Sequence, residues 1–476
     1  MRKKNINQEL AIEHKNGPCL VIAGPGSGKT YVLTNRVINL IDYYGVDAEN
    51  ILVITFTRAA AIEMRQRFIG IAKEKLGTIY HIPKFGTFHS VFFDILKNDF
   101  GYNKNSLLNS EEEKVLIYDS IRKNANSKFS IDLLNNILKE IKHYQLALER
   151  KEHFISKVLD TNKFLKVYRD YQENLFIHKK LDFSDMIFKC YDLLKNNKRI
   201  LKYYQNRYKY ILIDEFQDIN RIQYDLVRLV CDNNNIFVVG DDDQSIYSFR
   251  GSHPKVMNDF LKDFKNAKII NLNENYRCAR QIVKFSKLVI DFNDERFKKN
   301  LISNRKELGT LEIKSFVDAN DENLYIVELI RKYLKLGIRL SDMAILYRTN
   351  LLSNAIKSTL SKHCISYNVK CDDNNLNEST SHKKDDNIER DSINLMTFHL
   401  SKGLEFETVF IIDANDGLIP HKKSIADNDL ETERRLFYVA MTRAKNNLHI
   451  YFTTRRFGKD FKPSRFILEA IGGQNG

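Results

Sequence analysis

The chain has 476 residues, of which 43% are apolar and 11% aromatic, enough for roughly three domains with sizeable cores. No apolar run approaches the roughly 18 residues of a membrane span, and MRKKNINQEL at the start carries charge without an apolar stretch behind it, so neither a membrane anchor nor a secretory signal is expected. The formal net charge of +14 has two readings: an anionic partner, most often nucleic acid, or a solvated lysine coat on a Lys- and Asn-rich chain.

Taken in chain order, short apolar runs alternate with longer amphipathic ones, the pattern of α/β sheets. Buried strands are expected at CLVIA (19–23) and ILVITF (51–56). Residues 95–180 lack strand-like runs, and Leu133, Leu134, Ile137, Leu138, Ile141 and Tyr144 follow helical spacing, which predicts a helical insertion. Strands resume at YILID (210–214), IFVVG (236–240) and KIINL (268–272). A second set follows at LEIKSF (311–316), MAILYR (343–348), INLMTF (393–398), TVFIID (408–413) and LHIYFT (448–453). Between its members, residues 371–392 hold only two aliphatics, Leu376 and Ile388, and read as a polar loop. The expected organisation is therefore two parallel-sheet domains: 1–94 with 181–272, carrying the insertion 95–180, and then 273–476.

The six cysteines (Cys19, Cys190, Cys231, Cys278, Cys364 and Cys371) form no C-x-x-C pair. That argues against a zinc or iron–sulfur site and suits a reducing, cytoplasmic setting.

AGPGSGKT (Ala23, Gly24, Pro25, Gly26, Ser27, Gly28, Lys29, Thr30) lies between an expected strand and an expected helix. A glycine-rich turn in that context lets backbone N–H groups wrap phosphate oxygens at a helix N-terminus. Lys29 would reach the outer phosphates of ATP and the Thr30 hydroxyl would ligate Mg²⁺. Ala23 stands where the strict pattern has glycine. In ILIDEFQD (211–218), Asp214 at a strand end would hold the same Mg²⁺, and Glu215 would orient or deprotonate the attacking water. These two strings point to a P-loop NTPase. The stretch GDDDQSIYSFRG (240–251) sets three acids beside Gln244, Tyr247, Phe249 and Arg250, a grouping that generic nucleotide binding does not require.

The ordered series of strings from about residue 5 to residue 453 resembles the motifs of UvrD/Rep/PcrA-type superfamily 1 helicases. Asn5 and Gln8 match the family's upstream glutamine motif, which reads adenine. TFTRAAAIEM (55–64), with Arg58 and Ala59 where Asn-Lys is usual, GTFHS (86–90) and LDFSD (181–185) match further motifs. So do GDDDQSIYSFRG, NENYRC (273–278), LMTFHLSKGLEFETVFI (395–411) and ERRLFYVAMTRAK (433–445). The resemblance implies two RecA-like domains with ATP between them and movement 3′ to 5′ on single-stranded DNA.

It also implies roles. Gln244 would sense the γ-phosphate, and Arg277 and Arg443 would act as arginine fingers, although either arginine alone reads equally as a surface ion-pair partner. Tyr276 would stack on adenine, with Tyr31 where relatives often have arginine, and Glu405 would contact the ribose. Phe56, Phe88, His89, Tyr247, Phe249, Arg250 and His399 would line the DNA path, where a base stacked on an aromatic contributes roughly 1–3 kcal/mol. Phe56 and Phe88, at strand ends, read equally well as core.

The expected partners are single-stranded and tailed duplex DNA, with DNA-repair or replication proteins. CISYNV (364–369) reaches INLMTF through the polar loop alone, where large relatives insert a domain. That departure favours a rival reading, a translocase that strips proteins and unwinds little. A non-catalytic scaffold would require degenerate catalytic residues, and Lys29, Asp214, Glu215, Gln244, Arg277 and Arg443 are all present.

Overall fold

The computed structural model describes residues 5–77, 81–125, 130–146, 154–232, 235–247, 255–370, 391–456 and 458–472. Phe249, Arg250 and residues 371–390 of the expected polar loop lie outside them. The described chain forms two compact units. The first comprises Met1–Val21, Lys29–Gly240 and Tyr247–Ile270, and the second Ile22–Gly28, Asp241–Ile246 and Asn271–Gly476.

Strands β1 (Cys19–Ala23), β2 (Ile51–Thr55), β3 (Lys84–Thr87), β4 (Tyr210–Ile213), β5 (Ile236–Gly240) and β6 (Lys268–Leu272) form one sheet in the order β3-β2-β4-β5-β1-β6. β2 runs parallel to both β3 and β4, and β4 is parallel to β5. β1, β2, β4 and β5 are buried at every position, which is why each reads as an unbroken apolar run rather than an alternating one. The second sheet holds β7 (Thr310–Phe316), β8 (Met343–Tyr347), β9 (Tyr367–Val369), β10 (Ile393–Thr397), β11 (Phe406–Ile411) and β12 (Ala444–Thr453), ordered β9-β10-β8-β11-β12-β7 with every pairing parallel. Both sheets have the α/β character expected from the sequence. Among the described residues, no helix is long and apolar enough to cross a membrane.

Helix α1 (Ile6–Glu13) precedes β1, α2 (Lys29–Asp42) follows it, and α3 (Arg58–Leu76) follows β2. α3 starts where the Thr57 hydroxyl accepts from the Ala60 N–H and stops at Gly77, whose φ of 71° suits glycine. After α4 (Phe88–Phe100) come α5 (Ser110–Asn124), α6 (Ile131–Leu146) and α7 (Thr161–Ile177), which share a core of Ile117, Ile121, Ile137, Ile141, Phe164 and Val167. α5 carries a reciprocal cap between Asn109 and Glu112, acids in its first turn and Arg122 and Lys123 in its last, each opposing the helix dipole.

The LDFSD string ties this helical layer to α8 (Asp185–Asn196). The Gln145 amide donates to Asp182 at 3.0 Å and to Asp185 at 2.9 Å, and the Tyr171 hydroxyl donates to Asp182 at 3.0 Å. Gln172 donates to Asp185 at 2.5 Å. Two buried carboxylates are thus satisfied by donors from α6 and α7, a requirement that fixes the helices' register.

In the second unit, Gly309 enters β7 with φ of 77°, and a Cβ there would lie 2.4 Å from the Ala279 Cβ and 2.8 Å from the Asn446 carbonyl. Both the dihedral and the space exclude a side chain. Gly309→Ala is expected to cost about 2–4 kcal/mol of stability, read by denaturant unfolding, whereas Gly337→Ala, with the same sign of φ and open space around it, should cost less.

Candidate functional site

The phosphate-loop string turns between β1 and α2. Ala23 ends β1 buried, the Ser27 hydroxyl donates to the Gly24 carbonyl at 2.7 Å, and Gly26 and Gly28 have φ of 65° and 85°. A Cβ on Gly26 would meet the Arg277 Cβ at 2.6 Å and the Asn275 Oδ1 at 3.0 Å, and one on Gly24 would meet Leu301 at 2.7 Å. Glycine is therefore required here for close approach as well as for dihedral freedom. The Tyr276 N–H donates to the Gly26 carbonyl at 2.9 Å, so the loop and the NENYRC string share a backbone link.

Lys29 begins α2, and its ammonium pairs with Glu215 at 3.0 Å. Glu215 holds the left-handed conformation (φ 50°, ψ 43°), uncommon for a residue with a side chain, and the Gln217 amide donates to its carboxylate at 2.5 Å. Asp214, at the end of β4, is buried, and its carboxylate accepts the Glu215 N–H at 3.0 Å. Burial, reinforced by the neighbouring Glu215 charge and opposed by Lys29, pushes the Asp214 carboxyl up to about 7. Thr30 is half-buried, and its carbonyl accepts from Thr34.

The acidic stretch that follows β5 is buried. The Asp241, Asp242 and Asp243 carboxylates lie within 4.8 Å of one another, and the Lys299 ammonium sits among them at 2.6, 2.5 and 2.8 Å. Arg296 adds two parallel bonds to Asp243, at 2.8 and 2.7 Å. Gln244, also buried, donates its amide to Asp241 at 2.5 Å and places its amide oxygen 3.4 Å from Arg443. Arg443 is 1% exposed and donates to the carbonyls of Val439 at 2.9 Å and Leu404 at 3.2 Å, so it is no surface ion-pair partner.

Arg277 donates to Glu405 at 2.7 Å, and Lys445 pairs with the same carboxylate at 2.9 Å. Burial raises the Glu405 pKa, but the two cations outweigh it and hold the carboxyl below its ordinary range. The turn bearing Arg277 is pinned by Asn275, whose buried Oδ1 accepts the N–H groups of Arg277 at 2.8 Å and Cys278 at 2.7 Å. Tyr276 is 38% exposed and donates to Glu274; Tyr31, on α2, is 52% exposed. Gln8 lies half-buried on α1, its N–H capped by Asn5.

Of the aromatics expected along DNA, Phe56 and Tyr247 stack on each other with centroids 5.4 Å apart and planes 13° from parallel. Phe88 is buried and packs near Phe92, offering no exposed face. Its neighbour His89 instead stacks at 3.8 Å on Phe183, which is 64% exposed. Burial lowers the His89 pKa to about 4, so the ring is neutral at pH 7. His399 lies half-buried in the turn after β10.

The UvrD/REP helicase N-terminal domain family matches residues 4–265, and the UvrD-like helicase C-terminal domain family matches residues 270–375 and 371–455. The chain belongs to the UvrD/REP helicase family. It is thus an enzyme of the helicase class. Among relatives, the ATP-dependent DNA helicase Rep of Buchnera aphidicola is 30% identical over 637 aligned positions, covering 98% of each chain. The ATP-dependent DNA helicase PcrA of Staphylococcus epidermidis is 36% identical over 379 residues, covering 77% of this chain and 51% of that protein. A putative ATP-dependent DNA helicase, YjcD of Bacillus subtilis, is 28% identical over 97% of this chain.

Within this helicase, four residues near the motif residues escaped the sequence reading. Asn275 and Gln217 lie inside quoted strings, and their amides signal only polarity until their partners are seen. Phe183 sits inside LDFSD, where an apolar residue reads as core. Lys299, in the basic run RFKKN, reads as solvated charge.

The Asp214 shift has a stability consequence. Between its ordinary 3.8 and about 7, the folded chain keeps a proton that the unfolded chain releases, so Asp214's contribution to stability falls as pH rises through that window. Asp214→Asn is expected to stabilise the nucleotide-free protein by about 1–3 kcal/mol at pH 8 and by less at pH 5. Denaturant unfolding at the two pH values checks this; equal gains would count against the buried-charge account.

Proposed function

We propose that this chain is an ATP-dependent DNA helicase that moves 3′ to 5′ along single-stranded DNA and uses ATP hydrolysis to separate strands during repair, recombination or replication. The observation that carries the reading is the joint engagement of the motif residues: Lys29 with Glu215, Gly26 against Arg277, and Gln244 against Arg443. The matches to helicase families and to relatives named as ATP-dependent DNA helicases support it.

The residues fit Mg²⁺. Thr30 and Asp214 offer hard oxygen donors, and a buried carboxyl pushed up to about 7 is one that a divalent cation would favour in its ionised form. When bound, the ion would neutralise charge on the phosphate oxygens. The chain's own groups do the rest. Loop N–H groups from Gly24 to Thr30 cradle the phosphates, and Lys29 exchanges its Glu215 partner for phosphate. Glu215, held by Gln217, is then left to orient water. Arg277 and Arg443 supply fixed positive charge that offsets the negative charge developing in phosphoryl transfer. Tyr276 and Tyr31 present exposed rings for the base, Gln8 and Asn5 offer it polar contacts, and Glu405 faces the ribose. On the DNA side, Phe56, Tyr247, His89 and Phe183 supply stacking surfaces that any base sequence can use.

A second reading has a specific observation behind it. The Rep alignment uses roughly a third more positions than this chain has residues, and the C-terminal domain family matches in two segments that meet at 371–375. Both agree with an insertion missing from the second domain, and they favour a translocase that displaces proteins and unwinds little by itself.

Purified protein on 3′-tailed and 5′-tailed duplexes tests the two together: strand separation confined to 3′ tails supports the helicase, and 3′-to-5′ translocation without separation supports the translocase. In the same assays Lys29→Ala is expected to abolish DNA-stimulated ATP hydrolysis, and near-wild-type turnover would sink both readings. Tyr247→Ala should weaken single-strand binding by roughly 1–3 kcal/mol, a larger loss than it causes in DNA-free hydrolysis; equal losses in both would assign Tyr247 to structure alone.

A further inference from the structure

Three carboxylates within 4.8 Å of one another have the outline of a cation site, but the cation there is the chain's own. Lys299 fills the space among Asp241, Asp242 and Asp243, and the Phe297 N–H takes a remaining oxygen of Asp242 at 2.6 Å. What this arrangement controls follows from donor and acceptor chemistry. A carboxylate only accepts, and an ammonium only donates. Asp241 gives Oδ1 to Lys299 and Oδ2 to the Gln244 amide nitrogen. With its nitrogen committed to Asp241, the Gln244 amide must turn its oxygen the other way, toward Arg443. Lys402 fixes the same residue from behind by donating to the Gln244 carbonyl at 2.6 Å. The side chain of Gln244 thus has one orientation, set by a residue 55 positions further along the chain.

We propose that Lys299 is a positioning residue for ATP hydrolysis: it clamps Asp241, Asp241 orients the Gln244 amide, and Gln244 aligns Arg443. Arg296 serves the same clamp through its paired bonds to Asp243 and a further bond to Asp291 at 2.5 Å. The inference rests on the reading that this chain hydrolyses ATP. It adds a link that none of the motif strings contains, because RFKKN lies outside all of them.

The test is a double-mutant cycle in DNA-stimulated ATP hydrolysis, with wild type, Lys299→Arg, Gln244→Ala and the pair. Lys299→Arg keeps the charge but not the compact ammonium that three carboxylates share. It is expected to lower kcat about tenfold and leave the KM for ATP within about twofold. In the Gln244→Ala background it should lower kcat no further, since the side chain it orients is gone. Asp241→Asn, nearly isosteric, breaks the same link and should reproduce the split between kcat and KM, which keeps the test open if the arginine variant folds poorly. An unchanged kcat in both single variants, or an equal loss with and without Gln244, would overturn the positioning role. An inactive wild type would overturn the proposed function instead, so the two failures are distinguishable.

Discussion

Carboxylates buried at the carboxyl ends of parallel strands must be neutralised, and the structure meets that constraint in two different ways. Taking an ion out of water costs several kcal/mol unless a well-placed partner offsets it. After β5 the offset comes from direct contact: Lys299 touches three aspartates and Arg296 grips one of them with paired bonds, although burial still raises the Asp242 carboxyl. After β4 it is incomplete. Lys29 pairs with Glu215 rather than with Asp214, so its charge only partly opposes burial, and the Asp214 carboxyl is pushed up to about 7. In the first arrangement the cation among the carboxylates is the chain's own ammonium, while the second leaves a carboxyl held above its ordinary range. On the proposed function, the same chemical type at two strand ends therefore does two jobs, fixed geometry in one place and metal affinity in the other.

The helical layer meets its buried carboxylates differently, with hydrogen bonds from neutral side chains. Asp182 and Asp185 are buried, and their neutral donors, Gln145, Gln172 and Tyr171, come from the helices they anchor. Neutral partners demand geometry rather than charge, so these bonds specify which turn of α6 and α7 faces α8. The LDFSD string is thus a structural latch at its acids and an exposed aromatic at Phe183, which shows how one short motif can serve packing and surface together.

What was legible in the sequence follows from burial. Strands buried on both faces announce themselves as apolar runs, and the expected strands at 19–23 and 236–240 coincide with β1 and β5; the one at 268–272 coincides with β6, of which only Ile270 and Leu272 are buried. β3 (KFGT) and β9 (YNV) gave no such signal, because each sits at a sheet edge, is only partly buried and is short. The helical spacing of Leu134, Ile137, Leu138, Ile141 and Tyr144 was readable for the same reason, since one face of α6 is buried. Motif residues could be found because their order is that of a family. Lys299 could not, because nothing local separates it from Lys298: one is buried among aspartates 241–243 and its neighbour is exposed. Phe88, whose position read equally well as DNA-lining or as core, has its side chain in the core.

The chain passes from the second unit to the first between Ile246 and Tyr247. On one side of that point Gln244 is held by Asp241 and faces Arg443; on the other, Tyr247 stacks on Phe56. Only Ser245 and Ile246 separate the two side chains, a backbone reach of at most about 10 Å. Ile246 is buried. On the proposed function, one short stretch of chain therefore carries both the side chain assigned to the γ-phosphate and one assigned to a base. On the proposed positioning role, Lys299 holds the Gln244 end of that stretch through Asp241, so the orientation of one side chain rests on a buried ammonium.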